Sequence, residues 1–112
     1  MTSEPVLRAT AESGDTIDDP SEDALFLMFE DIENGESDFL VVKDLGDPGG
    51  HTYAQSVIEE DGSYVVEYRD GDASRHYATT APDLRTAHAL IVGWAFDVPG
   101  WRGSTTWRRL TF

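Results

Sequence analysis

A chain of 112 residues with 39% hydrophobic side chains, including three Trp, four Tyr and five Phe, has enough apolar material for one modest core and argues against disorder. Twenty-two acidic against eight basic residues give a formal net charge of −14, which repels nucleic-acid phosphates and anionic membranes and favours a basic protein partner. The absence of cysteine excludes disulfides, thiolate metal sites and a Cys nucleophile, and no apolar run reaches the length of a membrane span.

The charge is unevenly placed. Met1 to Ser63 holds 17 of the 22 acidic residues and 2 of the 8 basic ones, whereas Tyr64 to Phe112 is close to neutral. Residues Met1 to Glu12 lack the basic patch and apolar run of a signal peptide, so a cytoplasmic location is expected for residues 1–112, read as a single domain.

Glu4 to Thr10 reads as a short edge strand, and Ala11 to Asp19 as polar and irregular. Asp19-Pro20-Ser21-Glu22 predicts a helix start, with Asp19 as cap and Pro20 in the first helical position. Leu25, Met28, Phe29 and Ile32 then share one helical face until Asn34-Gly35. Phe39-Leu40-Val41-Val42 marks a strand inside Asp38 to Leu45 that reads as covered on both sides. After a turn at Gly46 to Gly50, His51 to Ile58 forms a second strand of this group, and Glu59-Glu60-Asp61-Gly62 a charged turn. Tyr64, Val66 and Tyr68 alternate with Val65, Glu67 and Arg69, the clearest strand signal; Asp70 to Ser74 turns into a strand over Arg75 to Thr79.

Thr80-Ala81-Pro82-Asp83 repeats the helix-start pattern, with Thr80 as cap. Leu84, Ala87, His88, Ile91, Trp94 and Ala95 form the stripe of that helix, Val98-Pro99-Gly100 ends it, and Thr105 to Phe112 alternates as a last strand. The expected fold is α+β: an antiparallel sheet of four to six strands packed against two helices in a single helical layer.

Motifs for catalysis are missing. His51, His76 and His88 are too widely spaced for a paired zinc set, and there is no nucleophile elbow, EF-hand loop, Walker sequence or dinucleotide fingerprint. The carboxylates lie in open runs rather than in an apolar pocket that would raise a pKa for general acid work. The expectation is therefore a binding protein without metal or cofactor, and not an enzyme. Candidate partner-binding residues are Glu67, Asp70 and Asp72 on the exposed side of the clearest hairpin, Glu59 and Glu60 in the charged turn, and Trp101, an aromatic in a loop.

Gly62 to Gly71, Arg75-His76-Tyr77, the Asp83 to Ala95 helix and the ending Trp94-Ala95, Pro99-Gly100-Trp101 and Trp107 together resemble the first-described immunity family of bacterial polymorphic toxin systems. The resemblance covers about half of the chain and rests on short motifs. It implies an α+β protein that binds and blocks a toxin encoded beside it, often one with a nucleic-acid deaminase domain. The charge agrees with that implication, because a toxin that acts on nucleic acid presents a basic cleft. Two alternatives remain: an acidic nucleic-acid mimic that inhibits a DNA-binding enzyme, and a small ligand-binding α+β domain with an apolar pocket.

Overall fold

A computed structural model describes residues 4–112 of the chain; the first three residues of the expected single domain lie outside them. Two short strands open it, β1 (Leu7–Ala11) and β2 (Thr16–Asp18), followed by helix α1 (Glu22–Glu33). A meander of four strands comes next: β3 (Phe39–Asp44), β4 (Thr52–Ile58), β5 (Tyr64–Asp70) and β6 (His76–Ala81). Helix α2 (Leu84–Phe96) and a two-residue strand β7 (Arg108–Arg109) complete the chain. All pairings are antiparallel, in one open sheet of order β2-β1-β3-β4-β5-β6-β7.

Seven strands exceed the expected four to six. The addition comes from Ala11 to Asp19, where Gly14 at φ +93° turns the chain back and Ile17 is the one apolar residue of β2. Three residues are too few for an alternation signal. Nor is β1 an edge strand, since it lies between β2 and β3. At the other end the expected last strand shrinks to Arg108 and Arg109, paired with β6, with one further bond from the Leu110 N–H to the His76 carbonyl at 2.9 Å.

Both helix starts are displaced from expectation. Ser21, not Asp19, caps α1, accepting the Ala24 N–H at 3.0 Å. Asp19 instead adopts φ 47° and turns its carboxylate back to the N–H groups of Val6 (2.8 Å) and Leu7 (3.0 Å), while Pro20 is buried just outside the helix. Asp83, not Thr80, caps α2 through the Thr86 N–H at 2.8 Å. Thr80 is spent in β6, which starts at His76 because Arg75 belongs to a 3₁₀ turn.

A side-chain period of two divides the sheet into two faces. The register aligns Ala9, Val42, Ala54 and Tyr68 on the face that the helices cover, with Ala11, Leu40, Ser56 and Val66 one row on; all eight are buried. β3 is thus buried on one side only: Leu40 and Val42 face inward, whereas Phe39 is 37% exposed and Val41 half-buried. From the helices, Leu25, Met28, Phe29 and Ile32 and then Ala87, Leu90 and Ile91 complete the core. The imidazole Nε2–H of His88 donates to the Glu22 carbonyl at 2.9 Å, and its ring meets the edges of Phe26 and Phe29, tying the two helices.

Gly93 sets how closely the tail approaches α2. A Cβ built there would lie 2.3 Å from Cβ of Trp101, whose ring packs at 5.3 Å from Tyr68 and 5.8 Å from Trp107. Alanine normally improves a helix over glycine by about 1 kcal/mol. Gly93→Ala should nevertheless destabilise the protein, by roughly 1–3 kcal/mol of overpacking. Urea unfolding followed by tryptophan fluorescence measures this; a gain in stability would show that Trp101 does not rest on α2.

Candidate protein-binding surface

The six candidate residues fall in four places. Glu59 and Glu60 lie in the β4–β5 turn, and Asp70 at the opposite end of the same hairpin. Six strand rises separate those ends, roughly 20 Å. Asp72, beyond Asp70, accepts the Ser74 N–H at 2.9 Å and caps the 3₁₀ turn.

Glu67 sits mid-strand on the face away from the helices, with its side chain only 19% exposed. One carboxylate oxygen accepts from His76 Nε2–H at 2.7 Å and the other from Gln55 at 3.2 Å. Arg69 Nε donates to the other imidazole nitrogen, Nδ1, at 3.0 Å, which fixes His76 as the neutral Nε2–H tautomer. Both ring nitrogens of this buried histidine are therefore engaged, and neither is open to take a substrate proton.

Trp101 is half-buried in an aromatic cluster. Trp107 lies 4.9 Å from the Tyr68 ring and Tyr77 5.1 Å from it, while the Arg102 guanidinium lies over the same ring and its Nε donates to the Tyr68 hydroxyl at 2.8 Å. Trp107 Nε1–H closes the cluster on the Arg102 carbonyl at 2.9 Å. The tryptophans and Arg102 thus fasten the tail to the sheet. Beside them an open groove of about 910 Å³ runs along α2, lined mainly by apolar residues such as Ala89, Leu90, Val92, Pro99 and Trp101.

Eight of the 17 acidic residues of the first half form one surface, because antiparallel strands return every second connection to the same end of the sheet. The end marked by Ala11, Phe39, Ile58, Tyr64 and Ala81 receives Glu12 and Asp15 from the β1–β2 turn, Glu33 from the last position of α1, and Glu36 and Asp38 from the α1–β3 connection. It also receives Glu59, Glu60 and Asp61 from the β4–β5 turn and Asp83 at the start of α2. None of these connections contains Lys or Arg. They are joined to one another: the Glu12 carboxylate accepts the Asp38 N–H at 2.5 Å, the Asp38 carbonyl accepts the Ile58 N–H at 3.2 Å, and buried Tyr64 donates its hydroxyl to Glu33 at 2.9 Å. Burial first, and Glu33 second, push the Tyr64 phenol above its ordinary pKa, so it stays a donor. Of this rim, only Glu59 and Glu60 are among the candidates that the sequence marks. The others become neighbours only through strand order.

Among the described residues no group of three His, Cys, Asp or Glu side chains is arranged to hold a metal ion.

Two rim carboxylates also support the backbone. The Ser63 hydroxyl and N–H hold Asp61 below the usual carboxylate range, and the Thr86 side chain and N–H do the same for Asp83. A depressed folded pKa contributes stability above the unfolded value of about 3.9, and that contribution is lost as pH falls through the folded value. Asp83→Asn should therefore be less stable than the parent near neutral pH, with the gap closing in acid below about pH 4. Urea midpoints across pH measure it, and a gap independent of pH would contradict the assignment.

No protein-family model, curated protein or solved structure matches the chain.

Proposed function

We propose that this chain is an immunity-type antitoxin that binds a nucleic-acid-targeting toxin, of the deaminase kind, and neutralises it by lodging the acidic rim in the toxin's basic cleft. The observation that carries the reading is the rim: carboxylates from four connections at one end of the sheet, with no Lys or Arg among them. A cleft that has to hold phosphates attracts such a surface over a Debye length of about 8 Å at physiological salt, which speeds encounter and orients it. Once seated, the rim denies the cleft to nucleic acid and no chemistry is needed from the immunity protein.

The rim suits this use because it is anchored from beneath. Tyr64 ties α1 to β5, and Glu12 and Asp38 tie the β1–β2 turn to the start of β3. The Glu12 and Glu33 carboxylates, and the backbone that carries their neighbours, are therefore held in place before binding, which lowers the ordering cost of association. The resemblance of the second half to immunity proteins points to the same class of partner.

Simultaneous Glu59→Lys, Glu60→Lys and Glu36→Lys should weaken the complex with the toxin encoded beside this gene by more than about tenfold and make the residual affinity less sensitive to salt. Asp70→Lys with Asp72→Lys, at the other end of the hairpin, should change it far less. Titration calorimetry at two salt concentrations and growth rescue on co-expression check both. Equal losses from the two sets would remove the rim as the binding surface, and no complex with the parent protein would remove the antitoxin reading.

A further inference from the structure

The face of the sheet away from the helices differs in charge from the rest of the molecule. One row across five strands reads Arg8, Lys43, Tyr53, Arg69 and His76. The next contains Val41, Gln55, Glu67 and Arg108, and the third Phe39, Val57, Val65 and Thr80. The strands of this face carry two carboxylates, Asp18, paired with Arg8 at 2.6 Å, and Glu67, which accepts from the neutral His76 at 2.7 Å; against them stand four cations, Arg8, Lys43, Arg69 and Arg108. Lys43, the chain's single lysine, and Arg108 are exposed and make no ion pair among the described residues. On a protein of net charge −14, this face is therefore locally cationic.

The same face has an apolar depression. Phe39, Val41, Gln55 and Val57 border an open hollow of about 280 Å³, enough for one side chain. Lys43 stands two residues along β3 from Val41, roughly 7 Å away on the same face. We infer that the outer face is a second docking surface, and that it takes an acidic peptide segment of a partner protein with one apolar anchor side chain. The anchor fills the hollow and a neighbouring carboxylate meets Lys43, with Arg108 on the flank. Charge decides the occupant: a second copy would bring its own cations against these if the outer faces met. The basic cleft of a toxin would be repelled here, so this surface does not depend on what the rim binds.

Two short capped peptides test it on the full chain, one alternating Glu with Leu and the other Lys with Leu, with backbone amide shifts as the readout. The Glu peptide should shift the amides of Phe39, Val41, Lys43 and Val57. Lys43→Glu, and separately Phe39→Ser, should weaken it by about tenfold each, with circular dichroism confirming that both variants are folded. Equal or tighter binding of the Lys peptide, shifts centred on Glu59 and Glu60, or no binding of the Glu peptide would overturn the inference. So would shifts of the same amides on concentrating the protein alone, which would identify the occupant as a second copy.

Discussion

Uninterrupted antiparallel pairing is the constraint on which the rest of this molecule depends. It fixes two alternations at once. Along each strand, successive side chains point to opposite faces, so that Tyr64, Val66 and Tyr68 enter the core while Val65, Glu67 and Arg69 leave it. From strand to strand, successive connections go to opposite ends, so that acidic turns far apart in sequence become neighbours. The core, the rim and the outer face all follow from these two alternations.

The packing energy lies on the inner face. Phe29 and Tyr64 are wholly buried and meet edge to face at 5.8 Å, in the range where aromatic pairs add about 0.5–1.5 kcal/mol beyond burial. At the β6 side the second aromatic group, Tyr68, Tyr77, Trp101 and Trp107, holds a tail that has only two residues of strand pairing. Gly93 lets that group close against α2. Because the turns take little part in the core, they are free to carry charge, and the excess of carboxylates can be placed there without burying any of it.

Much of this was legible in the sequence where a periodic signal was long enough. The α1 stripe of Leu25, Met28, Phe29 and Ile32 and the alternation of β5 matched the structure because burial repeats over several turns or residues. β2 leaves no signal in the sequence because three residues cannot show a period, and β3 has the pattern of a doubly covered strand because Phe39 and Val41 are apolar on a face without helices. The caps are ambiguous in the sequence because each segment offers several cap-type residues, and only backbone geometry selects Ser21 and Asp83. At the candidate surface, sequence located the acidic half but not its grouping. Glu59 and Glu60 were identifiable as a charge run, whereas Glu12, Glu36 and Asp38 join them only through strand order. Trp101 and Arg102 have the composition of an interface, yet the fold uses them to attach its own tail.

Hydrogen exchange of the full chain, alone and saturated with the proposed toxin partner, shows whether the acidic rim is the binding surface. Slowed exchange is expected at the backbone amides of three of the four acidic connections, 12–15, 34–38 and 59–63, with the β5–β6 turn at 70–75 unchanged. Protection confined to the β5–β6 turn or to the groove along α2, with the acidic connections unaltered, would contradict it.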